Sequence, residues 1–336
     1  MKKQPSNKIE EDDSNSSLQV LDILQDDIKF KTPKIHPIII YPYSQSNDYR
    51  DLQELYLKFI KPIFEDTSKY AKPITVLNRQ TYYNNSKYMF DTKSKKRFDD
   101  FIENTVKKYS TVLDAWCVDS CQMWLTGLGK AFDDKSTGED VYWLIPGDFN
   151  YSSENGKEVL EKIRELPAAV LSSEQDLCVG EIDVPLNSSK QLIDTYGTYG
   201  LLYNWFPHEA QEIRKITDKP RTEFFAISHG FLREILRQRW YAYEQTIVIL
   251  LHGILGKKRI NKIKLGMISD LSQGRDSLSA AMQQVERTER VLKLVWRERN
   301  EKQDPQWHET FRKFDTQSEQ VRGAALVILQ NLLSIR

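Results

Sequence analysis

Pro42, Asn78, Arg79 and Asp148 stand at or just past the ends of short runs of branched and aromatic residues, where a folded chain presents side chains to a ligand. Ile35 to Tyr43 concentrates Ile38, Ile39 and Ile40 before Pro42, Ile74 to Leu77 leads into Asn78-Arg79, and Val141 to Ile145 runs into Pro146-Gly147-Asp148. Apolar runs of this length, stopped by Pro, Asn or Gly, read as buried parallel strands. In an open parallel sheet ligands sit beyond the carboxyl ends of the strands, so the three ends should face one crevice. Asp148 has a plainer reading too, because an Asp after Pro-Gly is an ordinary turn residue.

Other residues carry chemistry with less support from their spacing. His229 and His252 are candidate metal ligands or proton carriers, but neither has a companion at ligand spacing, which favours a structural role. Cys117 and Cys121 lie four apart, on one face of a helix, where buried thiols act as small hydrophobes. Lys257, Lys258, Arg259, Lys262 and Lys264 form a basic run that is either a solvated face or a contact for phosphate or acidic lipid.

The elements that position these residues alternate. Leu52, Leu55, Tyr56, Phe59 and Ile63 recur at helical steps between the first two strands, which sets a β, α, β order early. A helix follows from Phe98 to Tyr109, and Thr111 to Val118 is a strand or the start of the next helix. Cys121 to Phe132 is helical, with Gly127 and Gly129 small enough for close packing on a sheet. Further on, Lys157 to Leu166 is a helix, Leu177 to Val184 a strand, Phe224 to Ile227 a strand, Phe231 to Leu236 a helix and Tyr243 to Leu255 a buried helix. Helices from Met267 to Asn300 and from Val321 to Ile335 close the chain. The first of these mixes Glu286, Arg287, Glu289 and Arg290 with Leu278, Met282, Val285 and Leu292, an amphipathic helix laced with ion pairs that packs on the α/β part or meets a partner.

The expected architecture is an open, mostly parallel α/β sheet flanked by helices, with a helical C-terminal region. Residues 1–33 form a mobile tail, 34–256 the α/β domain and 257–336 the helical region. Hydrophobic residues at 40% and charged residues at 29% fit a folded chain. Lys+Arg and Asp+Glu balance at 48 each, so there is no overall drive toward nucleic acid. The three cysteines lack disulfide or zinc spacing, which fits a reducing compartment, the cytoplasm. No apolar run reaches the length of a membrane span, and the N-terminus lacks the apolar stretch of a signal peptide.

The run Ile38-Ile39-Ile40-Tyr41-Pro42-Tyr43, the small-residue helix with Gly127, Gly129 and Ala131, and Val141-Tyr142-Trp143-Leu144-Ile145-Pro146-Gly147-Asp148 together resemble the nucleotide-binding half of GT-A fold glycosyltransferases. The family-2-like and dolichyl-phosphate-mannose-synthase-like enzymes are the nearest in pattern, and the resemblance spans roughly residues 35–255. It implies a nucleoside-diphosphate-sugar donor, a hydroxyl acceptor, and a nucleotide side made of Pro42, Tyr43, Asn78, Arg79 and Asp148. The family's Asp-x-Asp motif holds Mg²⁺ or Mn²⁺ on the diphosphate through hard oxygen ligands. Here Pro146 stands where the first Asp would be, leaving Asp148 as the one carboxylate of the pair for a metal or a ribose hydroxyl.

Glu244, after Trp240-Tyr241-Ala242-Tyr243 and before an apolar helix, is similar to the family's late carboxylate that acts as general base on the acceptor hydroxyl. Its alternative role is to complement the dipole at that helix's N-terminus. Tyr196, Tyr199, Tyr203 and Trp205 offer ring faces to sugars, or pack in the core. The degenerate motif keeps a second possibility open, a catalytically inactive GT-A-like protein that binds a partner, or a second copy of itself, through its C-terminal helices.

Overall fold

The computed structural model describes residues 32–41, 50–78, 92–115, 120–133, 138–172, 175–183, 189–238, 245–269 and 278–334. Met1–Thr32 forms a unit of its own, so the expected N-terminal tail lies almost wholly outside the described residues. All that follows concerns the second unit, Pro33–Arg336.

Among the described residues, seven strands make one sheet in the order β3-β2-β1-β4-β6-β5-β7. They are β1 (Ile35–Tyr41), β2 (Ile74–Asn78), β3 (Thr111–Ala115), β4 (Val141–Pro146), β5 (Leu177–Asp183), β6 (Phe224–Ser228) and β7 (Ile260–Met267). β1, β2, β3 and β4 pair in parallel, β6 runs antiparallel to both β4 and β5, and β7 is parallel to β5. The stretch from Thr111 resolves to a strand, and the expected mostly parallel α/β sheet is what the chain builds.

Alternation along each strand divides the core. Ile38, Ile40, Val76, Tyr142, Leu144 and Ile227 point to one face, while Ile35, Ile39, Trp143, Ile145 and Ala226 point to the other. On the first face lies α1 (Ser120–Ala131), where a Cβ on Gly127 would come within 2.5 Å of Ile38 Cγ2, so the glycine is what lets this helix sit so close to the sheet. The opposite face is covered by the continuous helical stretch Arg50–Glu54, Leu55–Ile60 and Lys61–Glu65, and by α2 (Glu154–Lys162) and α3 (Glu165–Ser172).

The aromatic stretch from Ile193 is helical throughout, a π-helical turn Ile193–Thr198 passing directly into α4 (Tyr199–Trp205). A Cβ on Gly197 would meet Val285 Cγ2 at 2.6 Å, so Gly197 is a contact point for the C-terminal helices. Those helices follow α5 (Gln245–Leu255) and β7; they are α6 (Leu278–Asn300) and α7 (Trp307–Ser334). Val285, Leu292, Val295, Trp296 and Leu329 share one core cluster with Leu201, Trp205, Phe225 and Ile227, and α6 and α7 extend that core by packing on the π-helical turn, on α4 and on each other.

The helical region therefore begins later than expected, because residues 260–267 form a seventh strand and α6 opens at Leu278. β7 is an edge strand whose only fully buried side chain is Leu265, and lysines on such an edge discourage pairing with other chains. A bulge between Glu181 and Ile182 shifts its register, and Gly266 opposite has φ 98°, a left-handed conformation that costs glycine nothing. Among the described residues no helix is long and apolar enough to cross a membrane.

Candidate functional site

The parallel half of the sheet brings the expected strand ends to one edge. Tyr41 is level with Leu77 of β2, and Ile40 with Pro146 of β4, so Tyr41, Asn78 and Pro146 end side by side. The chain leaves β1 toward β2 on one side and returns as β4 on the other, and such a reversal opens a crevice at the carboxyl edge. Pro42, Tyr43 and Arg79 directly follow these ends and lie outside the described residues, as does Glu244. β6 runs the other way, so its leading residues Arg221, Thr222 and Glu223 join the same edge.

The turn after β4 is pressed down on this edge. The Gly147 N–H donates to Ile40 O at 2.6 Å, and a Cβ there would lie 3.0 Å from that oxygen and 3.1 Å from Tyr41 Cδ2. Tyr151 donates its hydroxyl to Pro146 O at 2.5 Å, while Phe149 and Tyr151 are buried. Asn150 N–H donates to Ser269 O at 2.9 Å, tying the turn to the chain that follows β7. The result is that Asp148 is 1% exposed, enclosed by the turn and not a side chain reaching out from the edge.

Burial, followed by the charges of Asp148 and Glu223, holds the Tyr151 phenol well above its usual range, so it stays protonated and donates. Glu223 is a residue that sequence reasoning passed over. Its place became visible only with the reversed direction of β6, which puts the start of that strand beside the end of β4. Nearby, Arg221 donates from Nε to Asp194 Oδ1 at 2.5 Å and from Nη1 to Gln284, a buried pair linking the carboxyl edge to the π-helical turn and to α6.

The resemblance implies a divalent cation at this edge. A hard cation needs several oxygen ligands open to solvent or to phosphate. Here one motif position is a proline, whose carbonyl already accepts from Tyr151, and the other is a buried carboxylate. Among the described residues, no cluster of three or more His, Cys, Asp or Glu is placed to hold a metal. The fit is poor.

The remaining candidates resolve to structural work. His229 is fully buried at the opposite, amino edge, beyond the end of β6. Arg233 donates to its Nε2 at 3.1 Å, so Nδ1 carries the proton and donates to Tyr142 Oη at 3.1 Å. In the basic run, Lys258 pairs with Glu234 at 2.5 Å, Arg259 with Asp176 at 3.7 Å and Lys262 with Glu181 at 3.4 Å. Trp205 lies edge-on to Trp296 and Phe314, and Tyr199 donates its hydroxyl to Thr217 O, which leaves Tyr196, 39% exposed, as the open ring of the aromatic group. Cys117, and the side chain of Cys121, fall outside the described residues.

His252 in α5 gives a pH dependence. Burial, then the charge of Arg299, pushes its pKa down from 6.5 to about 4. The unfolded imidazole takes a proton near 6.5 and the folded one near 4, so the unfolded state binds more protons in between. The stability contributed by the neutral ring is complete above pH 6.5 and is lost as pH falls toward 4, on the order of 2 kcal/mol after screening at a half-buried group. Thermal melts across that window should show the loss in the parent and a flatter profile in His252→Gln. Parallel profiles would refute it.

No family model matches the chain, and no curated protein matches it. Solved structures do resemble it. Glucosyl-3-phosphoglycerate synthase from Mycobacterium tuberculosis in complex with Mn²⁺, UDP and phosphoglyceric acid is 13% identical, with TM-score 0.50 over 76% of this chain and 77% of that one. The same enzyme with Mn²⁺, UDP-glucose and phosphoglyceric acid is 14% identical, with TM-score 0.50 over 76% and 78%. A further mycobacterial protein is 14% identical, with TM-score 0.51 over 78% and 74%. At such identity the likeness extends to the backbone, and it shows that this chain has a GT-A-like fold.

Proposed function

We propose that this chain is a glycosyltransferase that moves a sugar from a nucleoside-diphosphate-sugar donor to a hydroxyl acceptor. The observation that carries the reading is the reversal between β1 and β4, with Gly147 pressed on the end of β1, which supports the carboxyl edge as the place for a diphosphate. The fold likeness supports it, since structures sharing this backbone are described with UDP and UDP-glucose.

In this reading Pro42, Tyr43, Asn78 and Arg79 form the nucleotide side beside the enclosed Asp148, and Glu244 serves as general base on the acceptor hydroxyl. Displacement at the anomeric carbon leaves charge on the departing diphosphate, which Arg79 would help to neutralise. The cysteine usage supports a cytoplasmic site of action.

The test is thermal shift against UDP- and GDP-sugars. A ligand that binds only the native state at about 100 times its Kd adds about 2.7 kcal/mol, which is easily seen. At least one nucleotide sugar should raise the Tm; no shift with any of them would end the proposal.

A further inference from the structure

We infer that nucleoside-diphosphate binding by this chain does not use a divalent cation held at the end of β4. The inference rests on the transferase reading above and narrows it. Three observations carry it. Pro146 offers no carboxylate, and its carbonyl is engaged by the Tyr151 hydroxyl at 2.5 Å. Asp148 is 1% exposed beneath a turn locked by Gly147 N–H to Ile40 O at 2.6 Å and by Asn150 N–H to Ser269 O at 2.9 Å. Tyr151 is fully buried and its hydroxyl proton is committed to Pro146 O, so the turn that carries Asp148 is also fastened from within the core.

Opening Asp148 to a cation would mean lifting a turn whose aromatic residues, Phe149 and Tyr151, are in the core. Exposing two such rings gives up apolar burial, which opposes metal capture at this position. The diphosphate charge is then met by side-chain cations and N–H groups of the protein.

Isothermal titration of the full chain with UDP and with GDP, in EDTA and in excess Mn²⁺, tests this directly. Kd for whichever nucleotide binds should agree in the two buffers within about threefold, less than the factor of ten that 1.4 kcal/mol represents. Electron paramagnetic resonance of Mn²⁺ mixed with the protein alone should show free aqueous ion. A larger tightening by Mn²⁺, or bound Mn²⁺ in the resonance experiment, overturns the inference and leaves the transferase reading standing. Absence of binding by either nucleotide in both buffers overturns both.

Discussion

Replacing Glu289 by leucine is expected to lower the Tm by roughly 5–6 °C, from a loss of about 3 kcal/mol at about 1.5–2 °C per kcal/mol in a chain of this length. Glu289 is 2% exposed where α6 meets α7, and it accepts from Ser318 Oγ at 2.7 Å, Lys293 Nζ at 3.1 Å and Arg322 Nη1 at 2.5 Å. Ser318 in turn accepts from Trp205 Nε1 at 3.0 Å, so one carboxylate organises both C-terminal helices and α4.

Burial lowers the Lys293 pKa, but hydrogen bonds to Asp315 and Glu289 outweigh it and hold the ammonium above its usual value. Removing a single partner from a buried charged group costs more than the pair contributes, because the remaining charges keep their desolvation penalty. Partial exposure of Lys293 and Arg322, 25% and 33%, lets them swing to solvent, which is why the lower end of the usual range applies. Glu289→Gln keeps an acceptor for Ser318 and should fall between parent and Glu289→Leu. In the double variant with Ser318→Ala the losses should sum to less than the singles, since both belong to one network. A Glu289→Leu protein melting within about 2 °C of the parent would show that the cluster is surface-like after all.

That carboxylate shows where sequence reasoning runs out. Glu286, Glu289 and Arg290 look alike in a charged amphipathic helix laced with ion pairs, and nothing in the sequence singles out one of them. Which of them faces α7 depends on how two helices cross, and that is not written in the i, i+4 pattern of either. The strands were legible because β1, β2, β4 and β6 are buried on both sides and read as continuous apolar runs. β7 was hidden because an edge strand needs only one buried residue, and its lysines look like a basic patch. The first half of α7, His308 to Gln320, was missed for the same reason, being polar around a narrow apolar seam of Phe311 and Phe314.

At the candidate site the strand ends followed from local sequence, since each is a stop in an apolar run. The burial of Asp148 did not, because it arises when the turn folds back and seats Tyr151 under Pro146. Nor could the arrival of Glu223 be seen before the direction of β6 was known. Convergence at an edge is a property of topology, and residues that reach it from an antiparallel strand carry no mark in their own neighbourhood.

Gly156→Ala should destabilise the protein by about 2 kcal/mol or more, although the same change in an exposed helix ordinarily adds about 1 kcal/mol. Gly156 lies in the first turn of α2, where its N–H donates to Ser153 Oγ at 3.0 Å. Ser153 donates that hydroxyl to Asn150 O at 2.9 Å, closing the cap over the turn that begins at Gly147. A Cβ on residue 156 would stand 2.0 Å from Asn150 O and 2.7 Å from Tyr151 Cα, and both are backbone atoms that no rotamer change can move. Relief requires the turn to lift, which draws Tyr151 away from Pro146 O and loosens the cover over Asp148. The variant should therefore lose both melting temperature and affinity for whichever nucleotide the parent binds. Gly129→Ala is the control, because in α1 nothing lies within 4 Å of the added methyl, and its Tm should stay level or rise. If Gly156→Ala melts at or above the parent temperature, the turn after β4 is not held by this contact, and the explanation given for the buried Asp148 fails with it.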